Sequence, residues 1–159
     1  MEFIPYQKVT ITTNLSKEEI IERFKESIGT RPLGSFAKVQ RKIFSGRLSD
    51  SVFDLSLNKD YRNSWTPEIK GTITAKDNLT ELHVTLKANS FVIAFTVISI
   101  IIGIIMLANE IIDFSDFDHF SWTTLLFVIF PYGLCWFGFN LDADKSIDGL
   151  LKVTKGELK

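Results

Sequence analysis

The chain has 159 residues, 45% of them apolar and 13% aromatic, with a formal net charge of −1 at pH 7. That composition excludes a disordered chain, and the single cysteine, Cys135, excludes a disulfide framework or a thiol cluster for metal. The near-zero net charge conceals a segregation that becomes plain along the chain.

The opening, MEFIPYQKVT, lacks the basic start and apolar run of a cleavable signal peptide, so insertion through an internal segment is expected. KVTIT, Lys8 to Thr12, alternates with Val9 and Ile11 on one face and reads as a strand. Ser16 with Glu19 makes a capping box ahead of an apolar stripe of Ile20, Ile21, Phe24 and Ile28, and Gly29 supplies a helix stop. Four strands are expected after it, near Val39 to Leu48, Val52 to Leu57, Pro67 to Ala75 and Leu79 to Lys87. Alternation is cleanest in Phe53-Leu55-Leu57 and Leu82-Val84-Leu86, and the turn sequences Ser49 to Ser51 and Lys76 to Asn78 argue for antiparallel hairpins.

From Ser90 to Ala108, SFVIAFTVISIIIGIIMLA carries no charge, and a helix of that length spans about 28 Å, close to the hydrocarbon thickness of a bilayer. A second uncharged run extends from Phe120 to Leu141, with Trp122 near one end and Tyr132 and Trp136 nearer the other, as interfacial rings require. Pro131 is expected to kink it. The joint between the runs holds Glu110, Asp113, Asp116 and Asp118 without a Lys or Arg. Lysines lie outside the pair, at Lys70, Lys76 and Lys87 before it and Lys145, Lys152, Lys155 and Lys159 after it. The positive-inside rule then predicts an inner (cytoplasmic) membrane protein with both termini cytoplasmic.

The expected fold class is α+β: a small antiparallel sheet of about four or five strands with one packed helix, plus a two-helix transmembrane hairpin. Residues 1–89 form the cytoplasmic α+β domain. Residues 90–141 form the hairpin, with spans near 90–108 and 120–141 and an acidic outer loop at 109–119. Residues 142–159 form a cytoplasmic tail in which Ile147, Leu150 and Leu151 share one side, suiting a short amphipathic helix that returns to the sheet or lies on headgroups. Gly149 weakens that helix.

Candidate site residues fall in two groups. In NKDYRNSWTPEIKG, Asn58 to Gly71, the donor fork of Arg62 lies between the aromatic surfaces of Tyr61 and Trp65, beside Asn63, which suits an anionic small-molecule ligand. The competing structural reading has the two rings covering the end of the sheet while Asn63 and Ser64 shape a turn. Thr96, Ser99 and Gly103 form a small-residue face for helix packing, either within the chain or between copies. Arg31, Lys38, Arg41, Lys42 and Arg47 form a basic cluster that anionic headgroups would attract, and sparse aromatics there make nucleic acid an unlikely partner.

The arrangement Phe44-x-Gly46, Phe53, Tyr61-Arg62-Asn63-Ser64-Trp65-x-Pro67-x-Ile69-x-Gly71-x-Ile73, followed by a strand and an apolar hairpin, resembles a group of small bacterial two-span membrane proteins of unassigned function. The resemblance covers Phe44 to the C-terminus and implies the architecture, with no chemistry attached.

Enzymatic signals are not found. The sequence holds no Gly-rich phosphate loop, no paired-histidine metal motif and no nucleophile elbow. His83 falls on the polar face of its strand, and His119 with Asp116 and Asp118 reads as a solvated loop before a cation site. The expectation is therefore a non-enzymatic membrane protein without cofactor or metal. Its cytoplasmic module binds a ligand or protein and couples to the hairpin, with the bilayer and a second copy or partner subunit as companions. Two alternatives use the same residues: an oligomerising, membrane-perturbing effector of a bacterial defence or toxin system, and a membrane anchor subunit of a larger complex.

Overall fold

The computed structural model of the protein describes residues 5–29, 42–58, 65–76, 79–112 and 122–159. Its elements in chain order are β1 (Tyr6–Thr13), α1 (Lys17–Ser27), β2 (Ile28–Gly29), β3 (Phe44–Ser49), β4 (Val52–Leu57), β5 (Glu68–Lys76), β6 (Leu79–Lys87), α2 (Ser90–Ile112), α3 (Trp122–Thr154) and β7 (Glu157–Leu158). The fold is α+β, with a mixed sheet in the order β2-β3-β4-β5-β6-β1-β7.

Seven strands correct the expected four or five. The additions are two-residue strands, too short to carry a period. β2 arises because α1 ends at Ser27 with its C-cap Ile28 already extended, so the chain runs on parallel to β3, with Ile28 opposite Phe44 and Gly29 opposite Ser45. Gly29 is thus a buried strand residue rather than a left-handed helix stop. β7 arises because Lys155 takes a positive φ of 48°, reversing the chain after α3 so that Glu157 pairs with Thr12 and Leu158 with Ile11. β3 also starts later than expected, at Phe44, and residues 39–41 of that predicted strand lie outside the described residues.

The rest of the sheet follows its alternation. One face carries Ile11, Phe53, Leu55, Ile69, Ile73 and Leu82, all between 0% and 2% exposed. Registers align these positions across strands, with Leu55 opposite Ile69, Ile69 opposite Leu86 and Ile11 opposite Leu82. The opposite face is polar and carries Lys8, Thr10, Asp54, Lys70 and His83. A slip of one residue would exchange the two faces, so burial of one side fixes the register.

Two helices cover the apolar face. α1 begins at the expected capping box: the Ser16 hydroxyl accepts from Glu19 N at 3.2 Å, and the Glu19 carboxylate accepts from Ser16 N at 2.9 Å. It buries Ile20 and Phe24, and the Phe24 ring stacks on Phe53 with centroids 5.1 Å apart. The second cover is the C-terminal part of α3. Phe139, Ala143, Ile147, Leu150 and Val153 join the sheet's core, burial worth about 1.5–3 kcal/mol for each large side chain.

α3 runs as one 33-residue helix, about 50 Å long, so the second apolar run and the amphipathic tail are a single rod. It continues through Pro131. Gly149 sits inside this helix because Phe44 Cζ would lie 3.1 Å from any β-carbon there.

Candidate functional site

The site expected at Tyr61, Arg62, Asn63 and Trp65 belongs to the connection between β4 and β5. Tyr61, Arg62, Asn63 and Ser64 lie outside the described residues. Trp65 is described and half-buried, with its indole laid on Gly138 of α3. A β-carbon at Gly138 would meet the Trp65 ring at 3.0 Å, so the absence of a side chain on the helix makes the seat. The connection is thereby keyed to α3 beside the point where that helix leaves the sheet. The sequence hides this partnership, since Gly138 within WFGFN shows only as a small residue in an apolar run.

The residues that carry the resemblance take on a structural meaning. Phe44, Phe53, Ile69 and Ile73 are core residues at 0–1% exposure, and Pro67 is buried. Gly46 has φ of 149°, and a β-carbon there would strike the Asp54 carbonyl and lie 2.9 Å from Leu55 Cα. Gly71 faces the edge of the Phe53 ring and the His83 carbonyl, the latter 2.7 Å from a β-carbon position.

The three residues of the small-residue face do different things. Gly103 lets α3 approach, with Val128 N 3.3 Å from where its β-carbon would be. Thr96 is buried and donates its hydroxyl to the Val92 carbonyl at 2.8 Å. Ser99 donates to the Phe95 carbonyl at 2.9 Å and is half-buried. Gly103 is therefore occupied by a contact within the chain, and the two hydroxyls are satisfied within their own helix.

The join between sheet and α2 is short and ordered. The backbone N–H of Ala88 still donates to the Pro5 carbonyl at 3.0 Å, extending the sheet ladder by one bond. Asn89 then caps α2, its side-chain oxygen accepting from Phe91 N at 2.8 Å.

Electrostatic structure concentrates at the opposite end of the sheet. The Glu81 carboxylate, 12% exposed, accepts from Lys159 Nζ at 3.1 Å, with Lys76 at 3.9 Å and His83 Nε2 at 3.8 Å. The Lys159 hydrogen bond, more than the surrounding positive charge, holds its carboxyl below the usual glutamate range. Thr13 Oγ1 donates to the Thr154 carbonyl at 2.9 Å and Lys159 N to the Thr10 carbonyl at 3.0 Å. Together these contacts clasp the chain end to β1 and β6. Sequence reasoning missed the clasp because Glu81 and Lys159 are 78 positions apart.

His83 Nδ1 lies 3.4 Å from the Thr10 hydroxyl, so hydroxyl, imidazole and the Glu81 carboxylate stand in series, but on an open face where the imidazole is 55% exposed. Nucleophilic catalysis draws on enclosure and a donor for developing negative charge, and an exposed imidazole at these separations supplies neither. Asp116, Asp118 and His119 lie outside the described residues, and among the described residues no group of three acidic, histidine or cysteine side chains could hold a metal.

Two helices, α2 and α3, are long and apolar enough to cross a membrane, and only 17% and 22% of their most apolar windows are buried. Phe91, Phe95 and Ile98 on α2, and Leu126, Ile129 and Phe137 on α3, are each more than half exposed. No family model matches the sequence, and no curated protein or solved structure matches it.

Proposed function

We propose that the protein is a non-enzymatic, two-span membrane protein whose cytoplasmic α+β module binds an anionic ligand or a protein through the β4–β5 connection, and passes that state to the hairpin along α3. The observation that carries the reading is the agreement in level between the two apolar helices. Gly103 lies against Val128. From that contact, thirteen residues toward the sheet reach Ser90 on α2 and Leu141 on α3, the first and last residues of the uncharged runs. Six residues the other way reach Asn109 and Trp122. At the sheet end both apolar runs thus stop at one height, and about 30 Å away the first run ends within one residue of the level at which α3 begins, a separation equal to the thickness of a hydrocarbon slab. A buried core helix needs no such agreement, and its faces would be covered rather than largely exposed.

The binding part of the proposal rests on Arg62 and its aromatic neighbours in sequence, and the coupling part on the Trp65 seat and the capped β6–α2 join. The alternative of an effector that assembles through the Gly103 face is less well supported, since α3 of the same chain fills that face.

Labelling in intact cells tests the topology. In a Cys135→Ser background, Asp116→Cys reacts with a membrane-impermeant maleimide from outside, whereas Lys76→Cys reacts only after lysis. The reverse pattern, or a chain that stays in solution without detergent, overturns the reading. Binding is tested by screening nucleotides, anionic metabolites and phospholipids against the wild type and Arg62→Ala. Identical profiles remove Arg62 from the site.

A further inference from the structure

The registers show a polarity along the strands that the sequence conceals. Tyr6, Glu68 and Lys87 share one cross-strand row next to α2, and Lys8, Asp54 and Lys70 share the second row beyond it. Toward α2 the sheet carries Lys42, Lys87, Lys8 and Arg47. The two acids on that side, Asp54 and Glu68, are both engaged by Lys70, at 3.4 Å and 4.0 Å. The far end holds Glu81, Glu157 and Asp50 against Lys76, Lys155 and Lys159, a balance of charge that the α2 end lacks. On α3 beside the α2 end, Asp142 is buried and partnered, and the exposed Asp144 and Lys145 offset one another.

Trp65 adds depth to this asymmetry. Its seat, Gly138, lies three residues, about 4.5 Å, within the apolar run that ends at Leu141. A residue of the sheet's own connection therefore stands at the height where headgroups meet acyl chains, the position tryptophan favours. In the sheet order, Lys87 is on the strand beside that of Trp65, about 5 Å away in the pairing direction. On the other side, Lys42 leads into β3, two strands from β5 and about 10 Å away.

We propose that this end of the sheet is a binding surface for anionic phospholipid headgroups, with Trp65 as the interfacial anchor and Lys42 and Lys87 as the flanking cations. The proposal rests on the two-span reading. Its partner follows from charge complementarity: Lys42 and Lys87 make no ion pair with a described residue, they lie at the α2 end of the sheet, and anionic lipid supplies the missing charge. A basic side chain at a membrane surface is worth about a fivefold enrichment of anionic lipid, so the pair gives on the order of 25-fold at low salt.

The test uses the full chain in phosphatidylcholine vesicles containing a minority of phosphatidylglycerol. Trp122→Phe with Trp136→Phe leaves Trp65 as the reporter, and Trp65→Phe with Trp122→Phe leaves Trp136. Phosphatidylglycerol brominated on its acyl chains is expected to quench Trp65 severalfold more than its mole fraction accounts for. The excess disappears in the added Lys42→Gln and Lys87→Gln double variant, and in high salt with the lysines intact. Quenching of Trp136 without excess quenching of Trp65 overturns the headgroup surface and leaves the spans standing. If neither residue is quenched, the two-span reading falls as well.

Discussion

Replacing Ala143 by proline tests whether α3 is a single rod. The helix passes from the exposed Leu141 to the buried Asp142 and Ala143 without interruption, and Ala143 is 0% exposed inside the sheet's core. Proline there has no N–H to give to the Phe139 carbonyl, and its ring presses on the preceding turn, together about 3 kcal/mol or more. The added ring atoms in a filled core cost about 1–3 kcal/mol further. The loss approaches the whole stability of a domain of this size, about 5–15 kcal/mol. Ala143→Gly keeps the N–H and is expected to cost only about 1 kcal/mol. Chemical denaturation of the detergent-solubilised protein separates the two, with the proline variant melting far earlier or failing to fold. Were both variants to fall within about 1 kcal/mol of each other, the segment around 143 would not be a continuous packed helix.

Gly71→Ala places a β-carbon against the Phe53 ring and 2.7 Å from the His83 carbonyl, and is expected to cost about 1–3 kcal/mol in the same titration. Lys155→Gly relieves a positive φ of 48° and is expected to add about 1 kcal/mol, read as a raised denaturation midpoint. The Glu81 carboxyl is held below its ordinary range foremost by the Lys159 hydrogen bond. Its contribution to the clasp is therefore present above the ordinary glutamate pKa and is lost as pH falls through the lowered value. Hydrogen exchange of the β7 amides, corrected for intrinsic rates, is expected to lose protection on acidification. Glu81→Gln should lack that pH dependence, and an unchanged profile in the variant would refute the assignment.

Local signals were readable wherever a single element contained its own cause. The capping box of Ser16 and Glu19, the stripe through Ile20 and Phe24, and the alternation of Leu82, Val84 and Leu86 all survive in the fold. These depend on spacing within one helix or strand. The two shortest strands were not readable, because β2 and β7 exist only through a neighbour's edge and carry no period. Nor was the continuity of α3: the charges at Asp142, Asp144 and Lys145 read as the end of a span, although Asp142 is buried and the helix runs on into the core. Of the candidate site, the role of Trp65 depends on Gly138, 73 positions away, and no local pattern joins two such residues.

The rod formed by α3 has a mechanical consequence. Its last dozen residues are locked into the sheet, so the sheet cannot turn or lean independently of the segment above Leu141. Helices in lipid tilt to match a thinner bilayer, and a lean of about 15° acting over roughly 20 Å of embedded helix sweeps the far edge of the sheet sideways by about 5 Å. If α2 and α3 span lipid as proposed, the polar face and the Glu81 clasp swing with it, and a change in bilayer thickness becomes a displacement that a neighbouring molecule can feel.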